Sequence, residues 1–179
     1  MVTVPLVPSS LSDDVVTALL EDREGNIWVG THKGLNLLHP ETGTFTRYEH
    51  DPSNPESISD NKVRALYQDR QGAIWVGTGS PWESKPEEGG LNRFDPKSET
   101  FQRFKHDPNK PNTLVSNWVR AIYEDSRGTF WVGTFGDGLH RFPPSVAAPR
   151  PSASLDQHAS PAARRWLIQC LRRAGSLVT

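Results

Sequence analysis

The segment QDRQGAIWVGT, residues 68–78, holds the pattern that decides the fold. Asp69 and Gly72 bracket a tight turn, because an Asp carboxylate can accept hydrogen bonds from the backbone just ahead of it and Gly tolerates positive φ. An apolar strand, Ile74-Trp75-Val76-Gly77-Thr78, follows the turn. Before it, Val63, Ala65 and Tyr67 alternate with Arg64, Leu66 and Gln68, which predicts a strand with those two sets on opposite faces. Beyond the segment, a third strand begins at Gly90-Leu91. The turn DPKSET (95–100) leads into a fourth, TFQRFKH (100–106).

The unit recurs, and self-similarity at this period is the signature of a repeat architecture. EDREGNIWVGTHKGLNLL (21–38) and EDSRGTFWVGTFGDGLHRF (124–142) carry the same order of residues. Trp28, Trp75 and Trp131 hold one repeat position, 47 and 56 residues apart. The difference is a single insertion, since Thr31 and Gly34 enclose two residues whereas Thr78 and Gly90 enclose eleven. From Gly34 to Trp75 and from Gly90 to Trp131 the spacing is 41 in both cases. Asp22, Gly25, Trp28 and Gly30 therefore correspond to Asp69, Gly72, Trp75 and Gly77, and to Asp125, Gly128, Trp131 and Gly133. Phe45 and Tyr48 in the first unit match Phe101 and Phe104 in the second.

Four short antiparallel strands per unit with a recurring Trp predict propeller blades. The expected fold is all-β: three four-stranded antiparallel blades, the third incomplete, forming an open arc or fragment, with a non-propeller C-terminal tail. The units fall at 11–59, 60–115 with an inserted loop at 79–88, and 116–142, after a lead-in at 1–10. The repeat Trp is expected to fill the space between neighbouring blades, the nearby glycine letting the sheets approach.

Composition agrees with short strands joined by tight turns: 14 Gly and 15 Pro in 179 residues, with 35% hydrophobic and 23% charged residues. There is no membrane span, because no apolar run is long enough. The net charge of −1 gives no general case for binding nucleic acid. The charge is unevenly divided, however. Residues 1–143 hold 15 basic and 20 acidic side chains, and residues 144–179 hold five Arg against Asp156 alone. A single cysteine, Cys170, excludes an internal disulfide and any Cys-based metal site. The N-terminal MVTVPLVPSSLSDD lacks a basic region, and Pro5 and Pro8 break its apolar stretch, so it does not read as a signal peptide.

The repeat ISDNKVRALYQDRQGAIWVGT…GGLNRFDPKSETFQRF (58–78 and 89–104) resembles the two-component-regulator propeller repeat. The shared pattern is Asp-x-x-Gly-x-φ-Trp-φ-Gly-Thr, with φ apolar, then Gly-Leu and an aromatic-bearing strand, and it extends over residues 11–142. The resemblance implies blades of a periplasmic or other extracytoplasmic sensor domain in a bacterial receptor. In that family larger sets of blades precede a membrane span and a histidine kinase, hybrid regulator or diguanylate cyclase output. It also implies a small-molecule or oligosaccharide ligand. The chain has no kinase His motif, nucleotide-binding Gly loop or receiver-type acidic cluster of its own.

After GLHRF (138–142) the fourth-strand pattern gives way to PPSVAAPRPSASLDQHASPAARR, whose Pro, Ala and Ser content reads as a linker. A short helix is expected at 161–174, with Ser160 as cap, Pro161 at its first position and Gly175 past its end. Leu167, Ile168 and Leu171 would form its apolar stripe, flanked by Arg164, Arg165, Arg172 and Arg173. Two readings of the tail stay open: a basic amphipathic segment for a membrane surface or partner, and a sequence foreign to the propeller.

Up-and-down strand order places the loop between strands two and three on the same rim as the inter-blade connections. The insertion GSPWESKPEE (79–88) and the segment HDPNKPNTLVSNW (106–118) should then share that rim. Arg64 and Arg120, equivalent residues with Thr17 as their counterpart, open the innermost strands there, beside Trp118. Trp82 breaks the repeat pattern. Arg64, Trp82, Trp118 and Arg120 are thus the candidate ligand residues, since an aromatic plate beside guanidinium groups suits sugars or anions. The competing reading has the arginines solvated or paired with loop acids and Trp82 covering its own loop.

The six histidines form no metal spacing and no catalytic motif in its expected context. His50 and His106 recur in HDP and are expected to serve turns. No cofactor is expected. The first functional expectation is a sensing or binding module without enzymatic activity. The alternatives are an interaction scaffold, including self-association through open blade edges, and a propeller lyase or hydrolase, for which no catalytic residues can be assigned.

Overall fold

The computed structural model describes residues 10–110 and 113–142. The expected helix at 161–174 lies outside them, as does the rest of the tail. Eleven strands make three antiparallel sheets. The first holds β1 (Val16–Glu21), β2 (Ile27–Thr31), β3 (Gly34–His39) and β4 (Thr44–Tyr48) in sequence order. The second holds β5 (Val63–Gln68), β6 (Ile74–Thr78), β7 (Gly90–Asp95) and β8 (Thr100–Phe104). The third holds β9 (Val119–Glu124), β10 (Phe130–Thr134) and β11 (Gly138–Phe142), with no fourth strand among the described residues. These are all-β, up-and-down blades in an open array.

Each blade is pinned at its first turn. Gly25, Gly72 and Gly128 take φ of 83°, 90° and 78°, which a side chain would strain. The turn Asp contributes more than the turn itself. Asp22 accepts from the Trp28 indole at 2.8 Å, Asp69 from Trp75 at 2.7 Å and Asp125 from Trp131 at 3.0 Å. Burial opposes ionisation of Asp22, yet the bonds from Trp28, Asn26 and the nearby backbone outweigh it and hold the carboxyl below its ordinary range. The same balance holds Asp125 low.

Trp28 and Trp75 lie between blades. Trp28 meets Phe94 of the second blade edge-on at 5.1 Å, and Trp75 meets Phe130 of the third at 4.8 Å. Such ring pairs contribute about 0.5–1.5 kcal/mol beyond area burial. Burial also pushes the Tyr48 hydroxyl up to about 12, where it packs on Trp28 and Phe94.

The innermost strands depart from simple alternation. Val63 pairs with Thr78 and Ala65 with Gly77, so Arg64 is an extra residue in a β-bulge. Thr17 and Arg120 occupy the same bulge in β1 and β9. The expected face shared by Val63, Ala65 and Tyr67 is therefore split. Val63 joins Leu66 in the core between the first and second blades, while Ala65 and Tyr67 belong to the core between the second and third.

Each bulge also aims a valine at the preceding blade. A Cβ on Gly30 would lie 2.4 Å from Val63 Cγ1, and one on Gly77 would lie 2.6 Å from Val119 Cγ1. Only glycine lets this knob seat. No blade precedes the first among the described residues, and there the equivalent Val16 is 44% exposed and Leu19 is 68% exposed.

Candidate functional site

A buried polar unit anchors the rim side of each blade. Ser12 Oγ meets Thr31 Oγ1 at 2.8 Å, and the Ser12 N–H donates to Asn36 at 2.9 Å. Ser59, Thr78 and Asn92 repeat this at 2.8 and 2.9 Å. In the third blade Val115 and His140 replace Ser and Asn, and the Val115 N–H donates to His140 Nε2 at 2.6 Å. His140 thereby takes a structural role as a neutral acceptor, with burial, and then His106, lowering its pKa. His50 and His106 hold the inter-blade segments through Nδ1 contacts to the Ile58 and Leu114 carbonyls at 2.7 and 2.6 Å.

The inserted loop rests on these anchors. Ser84 donates to Asp60, the Ser84 N–H reaches the Ser80 carbonyl at 2.9 Å, and Asn117 Nδ2 donates to the Pro86 carbonyl at 2.9 Å. Gly79 packs against the Asn117 carbonyl and the Trp118 ring, leaving no room for a Cβ. Loop 79–88 and segment 113–118 thus meet along one rim.

The four candidate residues reach this rim in different states. Arg64 is engaged. It donates to His32 Nε2 at 2.9 Å and to Glu83 Oε2 at 2.9 Å, and its side chain is largely buried. Glu83 also lies 3.8 Å from Lys62 Nζ and from His32 Nδ1. Burial, followed by the Arg64 charge, lowers the His32 pKa, consistent with a neutral ring that accepts at Nε2. Arg64 is thus paired with a loop acid, as the competing reading of that residue expects.

Trp118 lies against Gly79, half-buried, and its indole N–H is buried without a partner. Trp82 is 72% exposed and packs edge-on against Phe135 at 5.0 Å. Arg120 sits over the same Phe135 ring at 5.9 Å. Among the described residues Arg120 makes no hydrogen bond or ion pair, and burial followed by Arg64 repulsion lowers its pKa.

Sequence reasoning missed Glu83, Phe135 and His32. All three lie in the loop between the second and third strands of their blades, so that loop position was the available signal. Their side-chain partners were not encoded in the repeat.

Comparison with known proteins identifies the repeat and the fold. Residues 10–33, 57–80 and 113–136 each match the family model described as two component regulator propeller. The three blades are two component regulator propeller repeats. Among solved structures, the extracellular domain of the putative hybrid two component system BT3049 from B. thetaiotaomicron is similar, with a TM-score of 0.66 and 25% identity over 80% of this chain and 19% of that one. The corresponding domain of BT4673 from the same organism gives 0.60 and 20% identity, over 83% and 19%. PorZ, a bacterial surface component of the type-IX secretion system of Porphyromonas gingivalis, shares the fold at 0.55 and 15% identity, over 83% and 21%. The propeller repeats described here span about a fifth of the length of these structures. No curated protein sequence matches the chain significantly.

Proposed function

We propose that these propeller repeats form part of the ligand-sensing domain of an extracytoplasmic bacterial receptor, with regulation rather than catalysis as their role. Similarity to extracellular domains of two component systems supports the location and the class. The observation that carries the reading is the exposed Trp82 plate beside Arg120, which has no ion pair among the described residues, on a rim braced by Arg64 and Glu83. Trp118 belongs to the bracing, since its ring packs on Gly79.

The expected ligand is a small molecule or oligosaccharide stacking on Trp82. Calorimetric titration of the chain with a panel of neutral and acidic oligosaccharides tests this. A ligand that binds should lose about tenfold or more in affinity on Trp82→Ala, equivalent to about 1.4 kcal/mol. Equal binding by Trp82→Ala and Arg120→Ala variants would place the site elsewhere.

A further inference from the structure

The rim's hydrogen-bonding groups do not balance. The two carboxylates that brace the inserted loop are engaged: Glu83 serves Arg64, Lys62 and His32, and Asp60 accepts from Ser84 and from the Lys62 N–H, whereas Glu87 of the loop is exposed and makes no ion pair among the described residues. The buried and half-buried groups left over are donors. Among the described residues Arg120 has no acceptor for its guanidinium, and Arg64 Nε, Ser80 Oγ and the Trp118 indole N–H are buried without partners. Asp137, two residues beyond Phe135, is exposed and makes no ion pair among the described residues.

These donors belong to one neighbourhood. Arg64 and Arg120 occupy equivalent bulges in neighbouring innermost strands and repel each other. Trp118 packs on Gly79, next to Ser80. A bulge is a device for re-aiming a side chain, and here it turns toward the rim a second cation that no carboxylate pairs among the described residues. A half-buried guanidinium without a counter-charge is unfavourable and becomes favourable when a planar or tetrahedral anion supplies paired acceptors.

We infer that the ligand of this rim carries an anionic group, held by Arg120 while the rest of the ligand lies on Trp82. The inference rests on the sensing role proposed above and adds the charge of the ligand. Phe135 fixes the spacing, because both Trp82 and Arg120 pack on its ring. Arg64 acts as a positioning residue. Tied to His32 and Glu83, it holds the loop that carries Trp82 and adds positive potential without spending its donors on the ligand.

The test is NMR titration of the full chain, labelled at the Trp indole and Arg side-chain nitrogens, at ionic strength held constant with chloride. Inorganic sulfate probes a sulfate- or phosphate-bearing ligand, acetate probes a carboxylate, and methyl glucoside is a neutral control. The expected result is a saturable shift of the Arg120 Nε–H and Trp82 indole N–H signals with sulfate or acetate, and the affinity followed at the Trp82 indole falls about tenfold or more in Arg120→Gln. Arg120→Lys should recover part of it and favour sulfate over acetate, because an ammonium lacks the planar fork. Whichever anion saturates first identifies the source of the charge.

Shifts that stay linear with both anions, or a Trp82 indole shift that keeps its affinity in Arg120→Gln, would overturn the inference. The neutral control separates the two claims. If acidic and neutral members of the oligosaccharide panel shift Trp82 equally, the sensing reading stands and the anionic requirement falls. If no saccharide of either kind shifts Trp82, the sensing reading falls, and the Arg120 response to sulfate and acetate judges the anion site on its own.

Discussion

Gly77 and Val119 form a knob and a hole at the boundary of two blades, and the fit leaves no slack. A methyl added at Gly77 would stand 2.6 Å from Val119 Cγ1, well inside van der Waals contact. Gly77→Ala should therefore destabilise the chain by about 1–3 kcal/mol, the usual range for overpacking. Urea unfolding would measure it. The pair should also be coupled: Val119→Ala in the Gly77→Ala background should cost less than in the parent, with an interaction energy of about 0.5 kcal/mol or more. Independent effects would mean that the blades do not meet at this contact. The glycine was legible in the sequence as a site of close approach, but its partner was not. Simple alternation put Val63 with Ala65, and only the bulge at Arg64 turns Val63 toward Gly30.

Between whole blades, an arginine in the first turn acts as a staple. Arg23 donates to the Asp69 and Arg70 carbonyls at 2.9 Å each, and Arg70 reaches the Asp125 and Ser126 carbonyls. The turn backbone adds a bond in the same direction, from the Arg23 N–H to Gln68 and from the Arg70 N–H to Glu124. In the third blade Ser126 stands where the arginine would be, so the staple series ends there. Removing it should loosen one joint and leave the other. Arg70→Ala is expected to cost about 0.5–1.5 kcal/mol, a typical net contribution for hydrogen bonds. Hydrogen exchange should quicken in 119–134 while 16–31 keeps its protection. Uniform loss of protection across all three blades would show that the joint does not behave as a local unit. The repeat made Arg23 and Arg70 equivalent on inspection. Their reach into the next blade was not visible, because it joins residues about one repeat apart.

At the scale of the molecule, two histidines link stability to pH. His32 and His140 both have pKa values lowered from 6.5 in the folded chain, chiefly by burial, so the unfolded chain protonates first as the pH drops. Stability is complete above the unfolded value and falls as the pH drops below about 6.5 toward the lowered native values. His140→Asn restores the residue that the other two blades carry at Asn36 and Asn92. That variant should lose less stability than the parent between pH 7 and pH 5 in paired urea titrations. An unchanged pH slope would remove His140 from the account and leave the effect to His32.

The sequence by itself determined the strand order, the turns and the inter-blade position of the tryptophans. Each follows from local chemistry repeated in register: a turn Asp, a glycine at positive φ, and an apolar strand with one large ring. It also drew attention to the 79–88 insertion and to the arginines opening the inner strands. The tertiary structure decided what those arginines do. Arg64 and Arg120 are identical in the repeat, yet Glu83 of the insertion neutralises one and nothing among the described residues neutralises the other. Periodicity fixes which way a strand faces, but a charge finds its partner through space, and only one blade received the loop that supplies it.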